Sequence, residues 1–346
     1  MVPVIHRVTD AGKRYVYGDA MAPHGPDDET LYEQLVKRVG RVHLKQRLGI
    51  ERDYEQRIFG QGRNFFHIEN WYSIHSVIRN CLRLVLLHGR GRRNARRIVV
   101  RHNHITIDAL PAAFDGYVIL QISDPHLDMA PDFPHALIEA VRTVRYDLCV
   151  LTGDFRANTF GSVDGAVDGM RMLRTHLDGE VFGVLGNHDT ILMVPSLEEM
   201  GIRMLLNEHV YIVRGNDALI LAGIDDPHYY RADNLEKTAD NIPAGVVSIL
   251  LAHSPEIYRH AAHADFDILF CGHTHGGQIC LPGGVPLMCN ARCPRAYCSG
   301  AWRYNSLHGY TSAGSGSCIV DVRLNCPPEI TLHQLHRGRA CPAANP

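Results

Sequence analysis

Five short blocks of this 346-residue chain carry side chains that bind cations and move protons. They are Asp124-Pro125-His126, Gly153-Asp154, Gly186-Asn187-His188-Asp189, His253 and Gly272-His273-Thr274-His275. Carboxylate, imidazole and carboxamide donors in one set suit divalent ions such as manganese, iron or zinc. Asp124, His126, Asp154, Asn187, His253, His273 and His275 are enough for two ions, with positions left open for water and substrate. A pair of divalent ions about 3.5–4 Å apart meets both obstacles to phosphoester hydrolysis. It lowers the pKa of bound water and neutralises charge developing on the phosphoryl oxygens. His273 and His275 stand two apart, so on an extended segment they share one side and can face separate ions.

Such side chains act together only if the backbone gathers them. Each block closes an apolar run, at 117–123, 147–152, 181–185, 247–252 and 266–271. Short runs rich in Val, Ile and Leu, bounded by Gly and polar residues, read as buried strands. Polar residues at the carboxyl ends of such strands lie where open α/β sheets bind ligands. Spans 133–145 and 163–176 read as helices between the first three strands, which gives a βαβ rhythm. Further strands are expected at 98–107, 219–223, 319–323 and 329–335, with a short helix within 232–240. The expected class is α/β, with the catalytic domain over 111–338. Residues 1–110 are expected to form a mainly helical extension, including a helix over 28–48 with Leu31, Leu35, Val39 and Val42 on one face.

Composition narrows the partners. A formal net charge of -2 gives no electrostatic reason to expect nucleic acid. The ten cysteines show no regular C-x-x-C pairs, so reduced, partly buried thiols of a cytoplasmic protein are the default. Cys289, Cys293 and Cys298 are the densest group, and a structural zinc is the minor reading there. Residues 1–19 are broken by His6, Arg7, Asp10, Lys13 and Arg14, so no signal-peptide core forms. No run of about eighteen uncharged apolar residues exists to cross a membrane. One segment does point to a surface. Ile74, Val77, Ile78, Cys81, Leu82, Val85 and Leu86 recur at helical spacing, and Arg90, Arg92, Arg93, Arg96, Arg97 and Arg101 follow with no acid among them. This basic amphipathic stretch, 71–101, either packs on the catalytic domain or lies on an anionic membrane. The second case would put the protein on the inner face of the cytoplasmic membrane.

Asp-x-His, Gly-Asp, Gly-Asn-His-Asp, a later His and Gly-His-Thr-His, in this order, resemble the calcineurin-like metallophosphoesterases over about 117–335. The resemblance implies a four-layer α/β/β/α metallophosphoesterase sandwich with its site at the carboxyl ends of the strands. By motif, it implies that Asp124, His126 and His275 hold one ion, Asn187, His253 and His273 the other, and that Asp154 bridges them. A metal-bound hydroxide would be the nucleophile. His188 would face the scissile phosphate as proton donor or charge stabiliser, with Asp189 as a candidate partner. Phosphoprotein phosphatases of the superfamily orient that histidine with an Asp three residues after the Gly-Asp block. Here the position is Ala157, which argues against that activity.

Two further stretches narrow the resemblance. His273-Thr274-His275-Gly276-Gly277-Gln278-Ile279 with Leu281-Pro282, and Asn325-Cys326-Pro327-Pro328-Glu329-Ile330, resemble the bacterial branch with cell-wall and membrane-associated phosphodiesterases. Some members of that wider group remove UMP from UDP-2,3-diacylglucosamine in lipid A synthesis. A lipid-linked pyrophosphate is therefore one expected substrate, and a general or cyclic-nucleotide phosphodiester is the alternative. The enterobacterial-type pyrophosphatase usually carries Arg where this chain has His188, so a shared activity would come from a different branch. A metal-free binding scaffold is disfavoured, because no ligand position is replaced. Manganese is the first expectation for both ions.

Overall fold

Alternation along the apolar runs decides the layering. The computed structural model describes residues 26–60 and 72–338. Chain order begins with α1 (Pro26–Val39), α2 (Arg41–Gly60), α3 (Tyr72–Leu84), α4 (His88–Ala95) and β1 (Val99–Ile107). A βα alternation follows in β2 (Val118–Ile122), α5 (Phe133–Arg142), β3 (Leu148–Thr152), α6 (Asp164–Arg174), β4 (Val181–Val184), α7 (Val194–Glu199) and β5 (Ile202–Met204). The second half runs β6 (Glu208–Arg214), β7 (Asp217–Gly223), α8 (Leu235–Ala239), β8 (Ser248–Leu251), α9 (Tyr258–His263) and β9 (Ile268–Cys271). It closes with β10 (Cys280–Leu281), β11 (Val285–Pro286), β12 (Gly300–Tyr304), β13 (Leu307–Thr311) and β14 (Glu329–Arg337).

The first large sheet has the order β1-β14-β2-β3-β4-β5, with β2 to β5 parallel and β14 antiparallel to β2. The second has the order β12-β13-β9-β8-β7-β6, with its four central strands parallel and its edges antiparallel. Successive strand residues point to opposite faces. Leu120, Ile122, Cys149 and Leu151 thus pack under α1, α5, α6 and α7, while Ile119, Leu148 and Val150 face the second sheet. There they meet Leu219, Leu221, Ile249, Leu251, Ile268 and Phe270. On the far side Ile220, Leu250 and Leu269 pack under α9. This is the expected four-layer α/β/β/α sandwich with N-terminal helices added.

Two expected elements differ. The helix over 28–48 is two helices, because Gly40 takes φ 87 between α1 and α2. The turn moves Val42 to the surface, 71 % exposed, and buries Leu44 in its place. The strand expected over 319–323 does not form. Ile319 has φ 65, and the Gln278 side chain, instead of a neighbouring strand, bonds the backbone of Cys318 and Val320. A lone bridge between Ile279 and Leu324 is all the pairing this loop makes.

The amphipathic stretch is likewise split, with Leu86 at φ 59 between α3 and α4. Ile78 and Leu82 pack on Val320, Val322 and Leu324, whereas Val77, Leu84, Val85 and Leu86 stay exposed. Gly91 of α4 sits against Val322, where a Cβ would collide, and accepts the Arg323 amide. Arg96 pairs with Asp132 and Asp321, acids remote in sequence. Among the described residues, no helix is long and apolar enough to cross a membrane. The interrupted segment 1–19 lies outside the described residues.

Candidate metal centre

After β2, β3 and β9 the backbone changes hand abruptly. Asp124, His126, Asp154, His273 and His275 all have positive φ, between 42 and 72. Non-glycine residues seldom adopt that region, and such strain persists only where the surroundings over-determine it. Here the loops fasten one another. The Asp124 amide donates to the Gly153 carbonyl at 3.0 Å, the His126 amide to the Asp154 carbonyl at 3.1 Å, and the His273 amide to Asp124 Oδ1 at 3.0 Å. The motif glycines let these loops touch. A Cβ on Gly186 would strike the Asp154 carboxylate, and one on Gly272 would strike Ser123 and Asp124.

The result is a buried donor cluster at the carboxyl ends of both sheets. Asp124, His126 and Asp154 form one group of mutually close donors, Asp154, His253 and His273 a second, and His126, His275 and Cys318 a third. Asp154 Oδ2 lies 3.3 Å from His253 Nε2 and 3.8 Å from His126 Nε2, so it stands between the groups. Asn187 Oδ1 is 2.9 Å from His253 Nε2. His273 and His275 do face separate groups, with His273 Nδ1 3.2 Å from His253 Nε2 and His275 Nε2 3.2 Å from His126 Nε2. They achieve it without an extended segment, because a tight 3-10 turn begins at His275.

The chemistry of the donor set fits cations. His126 Nδ1 donates to the Arg156 carbonyl at 2.7 Å, and His253 Nδ1 to the Thr152 carbonyl at 2.8 Å. Each bond anchors the ring through Nδ1 and aims Nε2 into the cluster, the arrangement that orients metal-bound histidines. His273 does the same with the opposite nitrogen, donating from Nε2 to the Asn290 carbonyl at 2.6 Å. His275 is held differently. The buried Arg323 guanidinium lies 3.1 Å from its Nδ1, and its Nε2 faces His126.

Electrostatics within the cluster run through Asp154. Burial alone would raise its carboxyl, but the imidazoles of His253, His188 and His126 hold it well below the ordinary range. Asp124 goes the other way. Burial and the Asp154 charge raise it despite His253 and His126.

His188 Nε2 points into the cluster, 3.9 Å from Asp154 Oδ2, and its Nδ1 meets the Thr159 hydroxyl at 3.1 Å. Burial depresses it to about 3, against the pull of Asp154, so it is a neutral ring. Asp189 does not reach that ring by any of these bonds. Its carboxylate accepts the amides of Asp154 at 2.7 Å, Phe155 at 2.9 Å and Gly186 at 2.9 Å. Arg156 is likewise occupied, donating to the carbonyls of His188, Thr159 and Gly161.

Several residues around the centre gave no sequence signal. Arg47 of α2 is fully buried, donates to the Asp189 carbonyl at 2.8 Å, pairs with Asp225 at 3.3 Å and lies 3.3 Å over the Tyr230 ring. Glu51, one turn on, accepts the Ile191 amide at 3.0 Å. A helix from the N-terminal region therefore grips the loop that carries Asn187 and His188. An arginine in a polar helix announces nothing by itself; only its lack of exposure does. Asp225 and Asp226 serve this support, the latter accepting the Tyr229 and Tyr230 amides at 2.7 Å. Cys293 and Cys298 have sulfurs 3.8 Å apart, and among the described residues every group of donors close enough to share an ion lies in the strand-end cluster.

Comparison with known proteins agrees with this geometry. The family description "Calcineurin-like phosphoesterase" matches residues 117–277. An uncharacterized metallophosphoesterase of Bacillus subtilis, YkoQ, is 30% identical over 259 residues, covering 71% of this chain and 93% of its own length. One from Aquifex aeolicus is 32% identical over 228 residues, covering 62% and 83%. The phosphodiesterase YaeI of Escherichia coli is 31% identical over 164 residues, covering 44% and 57%. The chain belongs to the calcineurin-like metallophosphoesterases, hydrolases whose family match spans the blocks from Asp124 to His275.

Proposed function

We propose that this protein hydrolyses a phosphodiester or pyrophosphate bond with two divalent ions. The observation that carries the reading is Asp154, one carboxylate set between two groups of imidazoles. Asp124, His126 and His275 would hold one ion, Asn187, His253 and His273 the other, and Asp154 both. When bound, such a pair acidifies water and offsets charge on the phosphoryl group. Mixed carboxylate, imidazole and amide donors accept manganese, iron or zinc, and manganese is the natural first trial. His188, neutral and aimed into the cluster, faces the leaving oxygen and stabilises or protonates it. Asp189 acts on His188 indirectly, by fixing the Asp154 and Gly186 loops through their amides. Ala157 leaves no acid where the phosphoprotein phosphatases carry one, and the Thr159 hydroxyl takes that side of the ring.

The substrate is proposed from the surface beside the centre. We assign residues 1–110 as an extension and 111–338 as the hydrolase domain. Ile78 and Leu82 of the extension rest on the loop through Val320–Leu324, and that loop begins at Cys318, 3.7 Å from His188. Leu84, Val85 and Leu86 stay exposed, and the exposed Arg83, Arg90 and Arg93 flank them in sequence. An apolar edge with arginines, one loop away from the reacting group, suits an acylated substrate drawn from an anionic membrane surface. UDP-2,3-diacylglucosamine, cleaved to release UMP, is such a substrate. The alternative is a general or cyclic-nucleotide phosphodiester, favoured by the likeness to YaeI. Manganese-dependent turnover of the lipid nucleotide beside bis-p-nitrophenyl phosphate separates the two. UMP release far faster than cleavage of the simple diester supports the lipid reading, and cleavage of the simple diester alone removes it.

A further inference from the structure

Cys318 is a donor that the sequence blocks did not include. It is buried, and its sulfur belongs to one group with His126 and His275, in which each residue's donor atom lies within 4.8 Å of the others'. The same sulfur is 3.7 Å from His188 Nε2. Its placement is enforced rather than incidental. Gln278, in the turn that follows His275, accepts the Cys318 amide at 2.7 Å and donates to the Cys318 and Val320 carbonyls at 2.8 and 3.0 Å. Ile319, a β-branched residue, sits at φ 65 between them. A β-branched side chain in that region is costly and persists only when held from several sides. The clamp, the strained turn and α3 packed behind it all present one thiol to the histidines.

We propose that Cys318 is a thiolate ligand of the ion held by Asp124, His126 and Asp154, and that it tilts that position toward zinc or iron over manganese. The inference rests on the two-metal reading. On binding, the thiol S–H bond breaks, the proton passes to solvent, and the sulfur electron pair forms the bond to the cation. The Cys318 sulfur adds a third donor to His126 and His275 in the same buried group. Soft thiolate favours zinc and iron, whereas manganese prefers oxygen.

The test is cobalt titration of the metal-stripped full-length protein, wild type against Cys318→Ser, with near-ultraviolet absorption and metal stoichiometry read together. Wild type should bind two cobalt ions with a sulfur-to-cobalt charge-transfer band. Cys318→Ser should bind two ions without that band, and its zinc-over-manganese preference should fall by about tenfold or more. Cys318→Asp, which restores a charged donor, should also take two ions without the band and guards against a folding artefact in the serine variant. Two cobalt ions bound by wild type with no such band, or a band unchanged in Cys318→Ser, would overturn the thiolate ligand and leave the two-metal centre standing. Fewer than two ions in every variant and in wild type would overturn the centre itself, and the inference with it.

Discussion

At the scale of single residues, Asp154 and His188 have separate proposed tasks. Asp154→Ala removes the carboxylate between the two groups, so activity should disappear and bound metal should fall below two ions per chain by elemental analysis. His188→Ala should keep both ions and lower kcat by about 10²–10⁴, the usual range for one general acid or base. Loss of metal in that variant would instead make His188 a ligand. That Asp124, His126, Asp154, Asn187, His188, His253, His273 and His275 would meet at one rim was legible in the sequence, because each follows a recognisable strand. Cys318 was not legible. It belongs to a stretch that reads as a strand, and only the Gln278 clamp and the left-handed Ile319 turn it toward the centre. The positive φ values at Asp124, His126, Asp154, His273 and His275 were also not specified, since Asp and His enter that region more readily than most residues but do not require it.

At the scale of elements, the support from α2 is the larger surprise. Arg47→Ala should destabilise the protein by about 3 kcal/mol, the lower end for breaking a buried ion pair, because Asp225 keeps His43 at 2.9 Å. It should also lower turnover, because the Asp189 carbonyl loses its donor beside His188. Asp225 gives this clamp a pH dependence. Burial would raise its carboxyl, but Arg47 and His43 lower it below the ordinary value of 3.8. A depressed pKa means the unfolded chain binds the proton first on acidification. The stabilisation is therefore complete above about pH 4 and is lost as pH falls through the folded value. Thermal melts of wild type and Asp225→Asn should differ most at neutral pH and converge in acid. Strands and the βα helices were readable from periodicity. The break at Gly40 and the burial of Arg47 depend on what α2 packs against, which one sequence does not state.

At the scale of the whole molecule, α3 and α4 join a surface to a centre. If the exposed edge meets membrane, wild type should co-sediment with vesicles rich in anionic lipid and Leu84→Asp/Leu86→Asp should not, while cleavage of a soluble diester stays unchanged. Equal sedimentation of both would return the edge to plain solvent-facing surface. The donors also come from both sheets. Asp124, Asp154 and Asn187 follow β2, β3 and β4 of one, and His253 and His273 follow β8 and β9 of the other. The donor set proposed for a cation pair is complete only once the two sheets have docked. Added metal should then leave the refolding rate nearly as it is and slow unfolding instead, as expected for contacts absent from the transition state. The centre would act as a latch on the finished fold, closing behind it without having guided it there.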